Sequence, residues 1–153
     1  WRNDDGGNYA GKTYLILGAS LGSTSSINLS SADYSFVGEE GSDYSGDAIS
    51  SAGDVDGDGL DDILVGAYNS NGLGKDMGFA YLILGASLGS TSNINLSNAD
   101  YSFMGENNSD YAGGGVSNAG DVDGDGLDDI LVGSWGSVGG LEAGAAYLLL
   151  SGD

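Results

Sequence analysis

The chain has 153 residues and a formal net charge of −20, with 23 acidic residues set against only Arg2, Lys12 and Lys75. So acidic a surface repels nucleic acid and anionic membranes, which are gripped by clustered Lys or Arg. The absence of Cys and His removes disulfides, thiolate chemistry and the familiar catalytic triads. With 30 Gly, no Pro and no apolar run approaching the roughly 20 residues of a membrane span, long helices and membrane insertion are excluded as well.

The predicted elements are all short strands. Residues from Tyr14 to Leu17 form a first apolar run, and Tyr34-Ser35-Phe36 alternates aromatic and polar side chains, the pattern of a strand with one packed face. Ala48-Ile49-Ser50-Ser51-Ala52 follows, with side chains small enough for a crowded position. An acidic loop, Asp54-Val55-Asp56-Gly57-Asp58-Gly59-Leu60-Asp61-Asp62, leads into Ile63-Leu64-Val65-Gly66, a continuous apolar run of the kind buried on both faces. Residues from Phe79 to Leu84 make the next strand and Tyr101-Ser102-Phe103 the one after. Then come Gly115-Val116-Ser117-Asn118-Ala119, a second acidic loop from Asp121 to Asp129, Ile130-Leu131-Val132-Gly133, and a last strand from Ala145 to Leu150. Gly, Ser, Asn and Asp fill the connections, as turns require.

The second loop repeats the first word for word, 67 residues further on. The stretch Tyr14 to Ser25 returns unchanged as Tyr81 to Ser92, Ala32 to Phe36 returns as Ala99 to Phe103, and Trp1, Tyr68 and Trp135 share one register. A period of this size, with four short antiparallel strands per unit, points to the blades of a β-propeller. The chain is all-β on this reading and holds about two and a quarter blades. Residues 1–46 supply the last strands of one blade, 47–113 a complete blade with its loop at 54–62, and 114–153 part of a third with its loop at 121–129. Trp1 opens no basic-then-apolar leader, so the chain is expected to be a mature product or an excised piece.

Each loop carries carboxylates at positions 1, 3, 5 and 9 and glycines at positions 4 and 6. Such a set of hard oxygen donors suits Ca2+, which takes about 6–8 oxygens at flexible geometry. An EF-hand would need Glu at position 12, where the two copies have Val65 and Val132. Two Ca2+ sites are therefore expected. Loops of modest affinity fill where calcium is near millimolar, which places the chain outside the cell or at its surface.

The stretch Ser51-Ala52-Gly53 through Gly66-Ala67 resembles the FG-GAP repeat, which builds the β-propeller of integrin alpha subunits and of many bacterial surface proteins; Asn118-Ala119-Gly120 through Gly133 is equally similar. The resemblance implies side-chain ligation by Asp54, Asp56, Asp58 and Asp62 with the Leu60 carbonyl. In the second loop it implies Asp121, Asp123, Asp125 and Asp129 with the Leu127 carbonyl. Asp61 and Asp128 fall outside that ligand pattern. The usual proline of the Gly-Ala-Pro step is replaced by Tyr68, and Trp135 stands at the same place in the next copy.

No catalytic role is expected. Glu39 and Glu106, one repeat apart, are the nearest thing to the paired carboxylates of glycosidases, and they read as loop charges. The family implies ligand binding on the face opposite the calcium loops, where Trp1, Tyr68 and Trp135 open three connections as candidate anchors for a protein or glycan partner. The reading is thus a calcium-stabilised propeller segment with a structural, adhesive or assembly role. Its alternative is the accessory or catalytic portion of a secreted glycan-active enzyme. Because a blade cannot bury both faces alone, further blades are expected, either from a longer parent or from identical chains joined head to tail as a ring or filament.

Overall fold

The computed structural model describes residues 2–23, 25–71, 75–136 and 143–152. Ten strands alternate with tight turns: β1 (Lys12–Leu15), β2 (Tyr34–Val37), β3 (Ile49–Gly53), β4 (Asp62–Ala67), β5 (Phe79–Ile83), β6 (Asn93–Asn95), β7 (Tyr101–Met104), β8 (Ala112–Gly120), β9 (Asp129–Ser134) and β10 (Ala145–Leu149). They form three sheets in the orders β1-β2-β6, β3-β4-β5-β7 and β8-β9-β10. The second sheet is the expected four-stranded antiparallel unit, and the others are blade-like sheets of three strands. The all-β class holds: among the described residues the helical pieces are four single 3-10 turns.

Beyond shifts of strand ends such as β8, which runs Ala112–Gly120 rather than 115–119, two differences from the sequence expectation have a physical reason. The strands read as 14–17 and 79–84 stop at Leu15 and Ile83. An aspartate ends each of them. The Asp33 carboxylate accepts from the Leu17 N–H (2.8 Å) and the Ser20 hydroxyl (2.7 Å), and Asp100 does the same for Leu84 (2.8 Å) and Ser87 (2.6 Å). The N–H that would continue the ladder is thereby drawn into a 3-10 turn, Gly18–Ser20 in one copy and Gly85–Ser87 in the other. The second difference is β6, which pairs parallel to β2 through Phe36 opposite Ile94 and so caps the outer edge of the first sheet with a strand from the connection that follows β5. Three residues with a single apolar side chain carry no strand signal of their own. The pairing is created by the partner.

Two apolar layers fuse the three sheets. Phe36, Val65, Tyr81, Ile83 and Leu96 are buried between the first and second sheets, with Leu15 and Ile63 packed on them. Ala52, Val55, Leu64, Leu82 and Ile130 are buried between the second and third. Alternation along β4 serves both layers: Val65 faces one way and Leu64 the other, and both are completely buried. In the third sheet the same alternation leaves one face largely uncovered by the described residues. The cross-strand pair Leu64–Leu82 is sealed, whereas its repeat counterpart Leu131–Leu148 is 37% and 45% exposed.

Candidate metal centre

Each acid loop is the hairpin between the first two strands of a sheet. β3 ends at Gly53 and β4 begins at Asp62, which lie opposite one another after a bulge. Gly120 and Asp129 stand in the same relation between β8 and β9. Between these anchors the chain coils around its own carboxylates. Asp54 accepts from the Gly57 N–H (2.9 Å) with one oxygen and from the Gly59 N–H (3.0 Å) with the other. Asp56 accepts from the Asp58 N–H (3.1 Å), and Asp58 from the Leu60 N–H (2.7 Å). Asp121, Asp123 and Asp125 repeat this pattern on Gly124, Gly126, Asp125 and Leu127 at 2.6–3.1 Å. Gly57 and Gly59 sit at φ of 78° and 87°, the left-handed region that lets so short a loop turn its carboxylates to one side.

The last aspartate of each loop lies deepest. Asp62 is 1% exposed and Asp129 is fully buried. Asp62 accepts from the Val55 N–H (3.0 Å) across the loop and from the Gly85 N–H (2.8 Å) beyond β5. Asp129 accepts likewise from Val122 (2.8 Å) and Ser151 (2.9 Å). Burial pushes the Asp62 carboxyl above the usual carboxylate range, the two N–H donors pull it down, and the charges of Asp56 and Asp58 push it up further. A cation beside those charges would reverse the sign of the last effect.

Oxygens of Asp54, Asp56 and Asp58 lie within 4.8 Å of one another, as do those of Asp121, Asp123 and Asp129. Positions 1 and 3 thus converge in both loops. Position 5 joins them in the first and position 9 in the second, so Asp62 and Asp125 stand outside the tight groups. A set of clustered aspartate oxygens without any nitrogen or sulfur donor fits a hard divalent cation such as Ca2+. The Leu60 and Leu127 carbonyls belong to the same loops, and the side chain of Leu60 points to solvent.

The candidate anchors lie at the opposite end of the strands. Tyr68 and Trp135 follow β4 and β9, and they join a row of five rings with Tyr9, Tyr44 and Tyr111. Tyr44 stacks on Tyr68 (centroids 5.7 Å apart) and Tyr111 on Trp135 (4.6 Å). Most of the row is half-buried, and ring faces are turned toward one another rather than outward; Trp135 remains 59% exposed. Trp1 lies outside the described residues. Sequence reasoning missed Tyr44 and Tyr111 as members of this row, although their spacing of one repeat was the signal for them. It also set aside Asp128, which contacts the first loop directly.

Among the described residues no helix is long and apolar enough to cross a membrane. No curated protein matches this sequence significantly. Residues 45–83, which carry the approach to β3, the first acid loop, β4 and β5, match the family model of the FG-GAP repeat.

Proposed function

We propose that the chain is a calcium-stabilised FG-GAP propeller segment with a structural, adhesive or assembly role outside the cell or at its surface, and that it is not an enzyme. The carrying observation is the pair of identical loops whose backbone N–H groups aim aspartate oxygens into groups no wider than 4.8 Å. Asp54, Asp56, Asp58, Asp62 and the Leu60 carbonyl would hold one Ca2+, and Asp121, Asp123, Asp125, Asp129 and the Leu127 carbonyl the other. The metal supplies positive charge to loops that otherwise confine like charges. Binding to the folded form alone stabilises it by mass action. Calorimetric titration near millimolar calcium tests this. Wild type takes up two ions, Asp56→Ala and Asp123→Ala take up one each, and chelation lowers the melting temperature. No uptake by the wild type refutes it.

The exposed pair Leu131–Leu148 supports completion by further blades, from a longer parent or from identical chains, because the equivalent pair in the second sheet is buried by the sheet that follows. Trp135 is the most exposed ring of the aromatic row and the best placed to meet a protein or glycan partner.

A further inference from the structure

The two acid loops touch. Asp128, the eighth residue of the second loop, donates its N–H to the Asp54 carbonyl (3.1 Å) and accepts the Asp54 N–H on its carboxylate (3.0 Å). Asp54 is the first residue of the first loop, so two reciprocal bonds join position 8 of one loop to position 1 of the other. Gly53 makes this approach feasible. It sits at φ of 76°, and a Cβ there would strike the Asp128 carboxylate. Leu127 presses on the same loop, with a methyl in contact range of any Cβ added at Gly57. On its other side Asp128 is tied down through its carbonyl, which accepts from the Ser151 hydroxyl (2.7 Å), while Ser151 also donates its N–H to the neighbouring Asp129.

We propose that Asp128 is a positioning residue that couples the two loops, so that loading of loop 121–129 raises the calcium affinity of loop 54–62. This rests on the calcium reading above. A cation held by Asp121, Asp123 and Asp129 fixes the backbone on either side of Asp128. A fixed Asp128 holds the Asp54 N–H and C=O in place, and with them the carboxylate that receives the Gly57 and Gly59 N–H groups. The second ion therefore meets a loop already ordered and loses less conformational freedom on binding, which is positive coupling. By linkage the effect is reciprocal. Repulsion between the two bound cations opposes it, but that term is screened by salt, whereas the hydrogen-bonded clamp is not.

The fold supplies a matched comparison. Asp61 is the same residue of the first loop, exposed, and among the described residues its carboxylate receives no hydrogen bond. It carries the same charge at the same distance in sequence from its own ligands without a loop to clamp.

Calcium chloride titrations of the full chain by calorimetry at 0.15 M and 0.5 M salt decide the matter. Disabling the second loop with Asp123→Ala weakens the remaining site by about tenfold at 0.5 M salt, a coupling of ordinary size, and by less at 0.15 M, where repulsion between the bound cations offsets part of it. Asp128→Ala produces a similar loss at the first loop, and adding Asp123→Ala to it brings no further loss. Asp128→Asn, which keeps the acceptor oxygen, retains the coupling, and Asp61→Asn leaves both affinities within about twofold. In calcium-free protein the Asp54 amide exchanges faster in Asp128→Ala than in wild type, a readout independent of the metal. An unchanged first-loop affinity in Asp123→Ala, with both wild-type sites filling, overturns the coupling alone. Coupling that survives Asp128→Ala overturns the role of Asp128. No uptake at either loop overturns the calcium reading and this inference with it.

Discussion

Leu64 and Leu131 are the same residue of two repeats, yet Leu64 is fully buried and Leu131 is 37% exposed. Truncating each to Ala separates what the strand contributes from what the neighbouring sheet contributes. The substitution removes about three methylene equivalents at about 0.8 kcal/mol each when burial is complete. At Leu64 a cavity term is added, because Ala52, Leu82 and Ile130 surround the site on two rigid sheets that cannot collapse into the void. The expected loss there is about 3–4 kcal/mol. At Leu131 only part of the surface leaves water and none of the described residues forms a facing wall around a cavity, so the expected loss is about 1 kcal/mol. For a chain of this length these losses lower the melting temperature by about 6–16 °C and about 2–4 °C respectively. Urea unfolding in excess calcium, at several protein concentrations, measures both. Equal losses at the two positions would refute the assignment of Leu64 to an inter-sheet layer. A loss at Leu131 that grows with protein concentration would show a second chain seated on the open face.

Asp43 is 1% exposed, and its burial raises the carboxyl above the ordinary range against the Glu40 N–H and Ser70 hydroxyl that lower it, with Glu39 and Glu40 adding like charge. A raised folded pKa means that the ionised form destabilises the fold above that pKa and that this penalty disappears as pH falls through it. Asp43→Asn is therefore expected to raise the melting temperature at pH 7, with the gain vanishing below the ordinary carboxylate range; a constant gain, or a loss at pH 7, contradicts the sign. Gly53→Ala, which meets the Asp128 carboxylate, should destabilise more than Gly120→Ala, where φ is similarly positive (71°) but nothing lies within 4 Å; paired denaturation curves test the difference. Sedimentation with calcium should show association at micromolar concentration if identical chains complete the blades, and a stable calcium-loaded monomer would reject that route.

The acid loops were legible because everything that forms them is local. Five aspartates and two glycines in nine residues make up the turn, and the bonds from Gly57 and Gly59 to Asp54 span no more than five residues. The strands were legible from their runs of apolar residues, and their ends less so, since Asp33 must come back across 16 residues to end β1. What could not be read is whatever depends on a neighbour. Asp61 and Asp128 have the same flanks, as do Leu64 and Leu131. Sequence identity assigns each pair one role. The structure gives the two members different ones, because a sheet lies against one copy and none of the described residues covers the other.

That dependence on neighbours also bears on where the proposed calcium would act. Within one hairpin the strands are held by their own ladders, as in the β3–β4 and β4–β5 pairings, and these bonds need no metal. The loops lie at the end of the strands where Asp54 meets Asp128, and Leu82 and Ile130 join the sheets in the layer they share. On the proposed calcium reading, a loop that lost its cation would keep its hairpin but loosen the bonds across the seam, and the apolar layer beside it would then open to water. Chelation should accordingly weaken the contact between second and third sheets before it unravels either one. Amide exchange would report this as early loss of protection at Asp54 and Asp128, whose N–H groups cross the seam, with Val65 and Tyr81 in the interior of the second sheet protected until global unfolding. Simultaneous loss at all four would mean that the metal stabilises each hairpin directly and that the seam has no separate dependence on it.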